Sequence, residues 1–122
     1  MKTTDFAPHR SQVLRENLHK ALSMKSVTTV RQAYEIAAEL PAPRFWVSEG
    51  RAAEVISLMI RGKNPTESMH PQKRKMFQEI YRRYLLLRRE NPDTPLCHLI
   101  FEVVNSPAPS SYISWHHLSH LI

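Results

Sequence analysis

His116 and His120 stand four residues apart, with His117 between them. On a helix, that spacing sets two imidazoles on one face, where they can share a zinc ion. A structural zinc site needs two further ligands and a catalytic one a third; Cys97, His98 and Glu102 are the candidates in the preceding helix. The paired cysteines of a zinc finger are absent, so the reading carried forward is a polar terminal helix without metal or cofactor. Nucleophilic catalysis finds little support. No Gly-x-Ser-x-Gly elbow and no Gly-rich phosphate loop occurs. Cys97, the single cysteine, falls on or near an apolar stripe and reads as a small core residue. Glu35 and Glu102 occupy matching places in the two halves, each expected to cap or pair locally. No enzymatic activity and no small-molecule substrate is expected.

The basic residues are more informative. Residues 61–90 hold nine Lys and Arg against three Glu, so this quarter of the chain carries the whole net charge of +6. A concentrated field of one sign attracts a polyanion. At 100° per residue, Met76, Phe77, Ile80, Tyr81, Tyr84 and Leu87 share one side of a helix. Arg74, Lys75, Gln78, Arg82 and Arg89 share an adjoining one, about 22 Å long. Such a stripe can follow several phosphates of DNA or RNA, giving affinity without sequence choice.

The elements that position these residues are helices. Two Gly against nine Pro argue against a loop-rich fold and make the prolines punctuation. The spacing predicts helices over residues 11–23, from Thr28 or Thr29 to Leu40, and from Ser48 to about Arg61. It then predicts helices from Pro71 to about Glu90, from a Thr94 cap with Pro95 to Pro107, and from Ser114 onward. Residues 1–10 read as a flexible N-terminus without a leader's apolar core, and 62–70 as a linker. No apolar run of about 18 residues is present, so no membrane span is expected. A lone cysteine suits a reducing cytoplasm.

The two halves resemble each other. Tyr34-Glu35-Ile36 returns as Phe101-Glu102-Val103. After a slip of one residue, Pro41-Ala42-Pro43 returns as Pro107-Ala108-Pro109 and Trp46-Val47-Ser48 as Tyr112-Ile113-Ser114. The expected fold is all-α: two degenerate three-helix, helix-turn-helix-like repeats, residues 11–61 and 71–122, packed as one compact helical domain. Trp46 and Tyr112 should strap their own three-helix cores. Arg44, Phe45 and Trp46 are also candidates for an interaction surface.

The stretches Pro41-Ala42-Pro43-Arg44-Phe45-Trp46-Val47-Ser48 and Met69-His70-Pro71-Gln72-Lys73-Arg74-Lys75-Met76-Phe77-Gln78-Glu79-Ile80-Tyr81-Arg82-Arg83 resemble a family of small uncharacterised helical proteins from Bacteroidales-type gut bacteria. The resemblance covers roughly residues 30–122 and implies a bacterial cytosolic origin, with no mechanism attached. The likeness to helix-turn-helix modules is looser, because about eight residues join the second and third helices here against three or four in that motif.

Two functions follow as expectations. The first is a nucleic-acid-associated accessory or regulatory protein binding DNA or RNA with low sequence specificity through Lys73, Arg74, Lys75, Arg82, Arg83 and Arg89. The second is a protein-protein interaction module, meeting an acidic partner or a second copy. An unneutralised basic patch favours the first; an exposed apolar patch, or Glu35, Glu54 or Glu102 folded onto the basic residues, favours the second.

Overall fold

Capping chemistry sets most of the helix starts. A computed structural model describes residues 6–122, and they form six helices: α1 (Ala7–Leu22), α2 (Val30–Glu39), α3 (Glu49–Ile60), α4 (Pro71–Glu90), α5 (Leu96–Val104) and α6 (Trp115–Leu121). Thr29 caps α2 in a capping box, its hydroxyl accepting from the Gln32 N–H while the Gln32 side chain accepts from the Thr29 N–H. Ser48 and Ser114 cap α3 and α6 by accepting from the Arg51 and His117 N–H groups. Pro71 opens α4 at a position where its missing N–H costs nothing. No described helix is long and apolar enough to cross a membrane.

Two starts differ from the sequence expectation. Of the N-terminal ten residues, 1–5 lie outside the described residues, and Ala7–Arg10 are the first turn of α1 rather than a flexible tail. Pro8 at the helix start supports that early beginning. At α5 the cap is Pro95, not Thr94, and no side chain caps it. The Thr94 carbonyl instead accepts from Arg88 at 2.6 Å.

The larger difference lies in packing. α1 packs on α2, and α2 on α6; α4 packs on α5, and α3 packs on both α4 and α5. Each third helix therefore leaves the two helices before it and completes the core of the other half. One core joins α3, α4 and α5 through Val55, Ile56, Phe77, Ile80, Ile100 and Val104. The other joins α1, α2 and α6 through Leu14, Ala21, Ala33, Ala37 and Leu118. In neither half do the second and third helices pack as a helix-turn-helix pair; they part company across residues 40–48 in the first half and 105–114 in the second.

Those crossing segments meet at one point. Ala42 and Ala108 form an antiparallel bridge, each N–H donating to the other's carbonyl at 3.0 and 2.8 Å. Beyond it the Phe45 N–H donates to the Val104 carbonyl at 3.0 Å, and the ring enters the α3–α4–α5 core. Trp46 follows, its indole N–H donating to the Ser111 hydroxyl at 3.2 Å, with Phe6 and His9 against its ring. Phe45 and Trp46 are thus core residues, not an interaction surface. Arg44 is also engaged internally, donating to the Phe45 and Val47 carbonyls.

Ala7 and Pro71, which open α1 and α4, stand 64 residues apart, while three further pairs of positions stand 66 apart: Val30 and Leu96 open α2 and α5, Glu49 and Trp115 open α3 and α6, and Ala42 bridges Ala108. Buried Ala33, Ala37 and Ala38 correspond at that spacing to buried Leu99, Val103 and Val104. The slip that paired Tyr34 with Phe101 is therefore displaced by one residue. Ile100 fills the matching place and Phe101 is 57% exposed. Cys97 is exposed as well, against the expectation of a core thiol.

Truncating Phe45 to Ala should cost about 3–5 kcal/mol, the range for a large aromatic fully removed from a core. Phe101→Ala should stay within about 0.5 kcal/mol. Urea unfolding midpoints of the two variants check both, and a large loss for Phe101→Ala would restore the displaced pairing.

Candidate nucleic-acid interface

α4 is the helix that the charge distribution singles out, and its apolar side is buried as the periodicity requires. Met76, Phe77, Ile80 and Tyr84 are buried, with Tyr81 and Leu87 partly so. The six basic residues expected to act together are divided among four environments.

Lys75, Arg82 and Arg89 are exposed along one side of α4, with Gln78 exposed between them. Lys75 and Arg89 take part in no ion pair among the described residues. Arg82 is exposed but shares its charge with Glu79, whose two oxygens accept at 3.0 and 2.7 Å. Leu85 falls within the same stripe and is 47% exposed, with Leu86 beside it. The stripe is therefore cationic with an apolar interruption.

Arg74 is turned back onto the segment before α4. It donates to the Thr66, Glu67 and Met69 carbonyls at 3.1–3.2 Å, holding residues 62–70 as a folded turn with Thr66 buried. Gly62 permits that turn with a φ of +80°. Arg83 faces inward. It donates to Glu79 at 2.7 Å, to the Ser106 hydroxyl at 3.1 Å and to the Pro107 carbonyl at 2.7 Å, and its guanidinium lies 5.0 Å from the Phe45 ring centroid. Arg74 and Arg83 are fastened by the fold and do not belong to a free binding face. Lys73 is exposed at the start of α4, on the opposite flank from Lys75, and lines a cleft together with Arg10 and His117.

Arg88 is a further residue of this kind. It ties the end of α4 to the next turn by donating to the Asn91, Pro92 and Thr94 carbonyls and to the Tyr84 hydroxyl. Its sequence signal was position: a basic residue in the last helical turn, where carbonyls lack intrahelical donors. Of the acids named as alternatives, Glu102 lines a groove with Arg83, Leu86 and Leu87 of α4 but takes part in no ion pair among the described residues, and the other two are paired elsewhere. Glu35 pairs with Arg31 and Glu54 with Arg51.

At the far end of the chain, His120 Nδ1 lies 2.8 Å from the His116 carbonyl and the two rings are 4.7 Å apart. No group of three or more His, Cys, Asp or Glu is gathered as a metal site among the described residues.

Glu79 serves Arg82 and Arg83 at once. Hydrogen bonding from Arg82 and then from Arg83 outweighs its partial burial and holds its carboxyl below the usual value. A carboxylate lowered on folding stabilises the fold above its unfolded pKa, and that stability is lost as pH falls through the folded value. Thermal stability should therefore drop as pH is taken below about 4.3, and Glu79→Gln should flatten that part of the profile. Arg83→Ala should cost about 1–2 kcal/mol by removing its bonds to Glu79, Ser106 and Pro107, whereas Lys75→Ala should be nearly neutral. Calorimetric melting of the three variants across pH measures both effects.

No family model, curated protein or solved structure matches the chain.

Proposed function

We propose that this protein associates with nucleic acid as an accessory or regulatory factor, binding the phosphate backbone through the exposed side of α4 with little sequence preference. The observation that carries the reading is the line of Lys75, Arg82 and Arg89 on a straight helix of 20 residues. From Lys75 to Arg89 the line is about 21 Å long at 1.5 Å per residue, enough to meet several successive phosphates. Gln78 between them adds a donor and acceptor. The base-reading role of a third helix in helix-turn-helix proteins has no counterpart, since α3 and α6 complete internal cores. The contacts are electrostatic and the role is non-catalytic. An internal duplication fits this picture, supported by the 66-residue spacing, and the long basic helix belongs to one half alone.

A second reading, a protein-interaction module, is favoured by a different observation. Leu85 and Leu86 on α4 and Phe101 on α5 are all about half exposed, and a groove beside them is lined by Leu86, Leu87 and Val103 together with Arg83, Glu102 and Ser106. Under this reading the basic stripe flanks an apolar contact and selects an acidic partner.

Fluorescence anisotropy of a labelled duplex of about 25 base pairs, repeated across salt, separates the two. Three phosphate contacts at a slope of about −0.9 each give a log–log salt slope near −2.7. Lys75→Ala, Arg82→Ala and Arg89→Ala together should abolish binding while leaving the melting temperature nearly unchanged. Absence of binding at low salt, or a triple variant that binds as well as the parent, would sink the nucleic-acid reading.

A further inference from the structure

A cleft of about 400 Å³ opens where the two halves of the chain meet, away from the exposed side of α4. α1 contributes Arg10, the start of α4 contributes His70, Lys73 and Met76, and the turn into α6 contributes Ser111, Ile113 and His117. Its volume falls in the range of roughly 300–1,000 Å³ typical of small-molecule sites. Among the described residues, no carboxylate lines it.

Arg10 is the residue that needs an explanation. It lies on the same side of α1 as buried Leu14 and Asn17, in a position an apolar residue would ordinarily fill. At the 66-residue spacing its counterpart is buried Met76. Its Nε is buried and has no hydrogen-bond partner among the described residues. A buried guanidinium N–H without an acceptor costs free energy; the same guanidinium borders the cleft, and an anion held by its other nitrogens would offset part of that cost.

The surrounding groups are prepared in the same sense. The His70 Nδ1 accepts from the Gln72 N–H at 3.2 Å, so its neutral form carries the proton on Nε2, which is left to donate. The Ser111 hydroxyl accepts from the Trp46 indole, leaving its own proton to donate. His117 is held below the ordinary imidazole value, first by desolvation and then by Arg10, His120, His70 and Lys73, all of them cationic or able to become so. Next to Ser111, Tyr112 adopts a φ of +51°, a conformation that L side chains with a Cβ rarely adopt. Strain of this kind tends to persist where it shapes a site.

We propose that this cleft is a binding site for a phosphate monoester, with the terminal phosphate between Arg10 and Lys73 and the apolar part of the molecule against Met76 and Ile113. The dianion matches two fixed cations, one of them a planar guanidinium suited to phosphate oxygens. The His70, His117 and Ser111 donors complete its shell. A backbone diester, with one charge and chain on both sides, suits the open face of α4 better than this recess. The site stands whether or not α4 binds nucleic acid, because none of Lys75, Arg82 and Arg89 lines it.

The test uses the full chain, ¹⁵N-labelled, titrated with inorganic phosphate, a nucleoside 5′-monophosphate and the matching nucleoside. The two phosphates should produce saturable shifts at the Gln72, Lys73, Ser114 and His117 amides, and the nucleoside none. Lys73→Ala, at an exposed side chain that makes no contact the fold relies on, should weaken monophosphate binding at least tenfold. Arg10→Met should abolish it while preserving or raising the melting temperature; Lys75→Ala should leave it unchanged. Competition then identifies the source of the phosphate. Displacement by a 5′-phosphorylated strand but not by its 5′-hydroxyl twin supports a nucleic-acid end in the cleft, and displacement by neither supports a free small molecule. Equal displacement by both strands, non-saturating shifts spread over Lys75, Arg82 and Arg89, or an unaltered Lys73→Ala variant would overturn the proposal.

Discussion

Four prolines, Pro41, Pro43, Pro107 and Pro109, stop α2 and α5 and force the chain into extended segments at matching points of its two halves. An extended segment inside a helical protein has backbone groups that must find partners. The two segments supply each other: Ala42 and Ala108 exchange both hydrogen bonds. Both alanines are buried. Once the segments cross there, each third helix is delivered to the opposite side of the molecule. The division into two cores, the insertion of Phe45 beneath α5 and the junction that forms the cleft all follow from this exchange.

The exchange also explains why so much of the positive charge is internal work rather than surface. Crossing segments and short turns leave carbonyls without helical donors, and arginine, with five N–H groups in a planar fork, satisfies several at once. Arg83 closes on Pro107, Arg74 on residues 66–69, Arg88 on residues 91–94, and Arg44 on Phe45 and Val47. None of these bonds removes a charge. They fix where it sits. What remains for a partner is the outer side of α4, where Arg82 meets Glu79, and the cleft, where the cations meet no acid among the described residues.

Helix positions were legible in the sequence because their signals are local. Thr29, Ser48 and Ser114 cap where the pattern places them, Pro71 opens α4, and the buried side of α4 follows its 3.6-residue period. Partner choice was not legible, because the apolar stripe of α3 suits either set of two helices; only the crossing at Ala42 selects one. The same blindness hid Phe45 and the core that Trp46 joins: the expectation for Trp46 is a strap over the helices of its own half, and it packs instead with α3, α4 and α5. Roles within the basic cluster depended on carbonyls whose positions arise from the fold. The cleft was least visible of all, since Arg10, Lys73 and His117 come from three distant parts of the chain and Arg10 lay outside the helix that the pattern outlined.

Strain and unmet polarity are concentrated at one place in this molecule. Arg10 Nε, buried without a partner, and Tyr112, left-handed without being glycine, both border the junction of the two halves. Among the described residues no other buried side-chain nitrogen or oxygen lacks a partner: Trp46 finds Ser111, and the extended segments find each other. A fold optimised only for stability would replace Arg10 by an apolar residue, as Met76 does at the matching position of the other half. The asymmetry between the halves is therefore an asymmetry of purpose. The position that Met76 fills for packing is held on the opposite side by a guanidinium, and the stability forgone there is what a bound anion would restore.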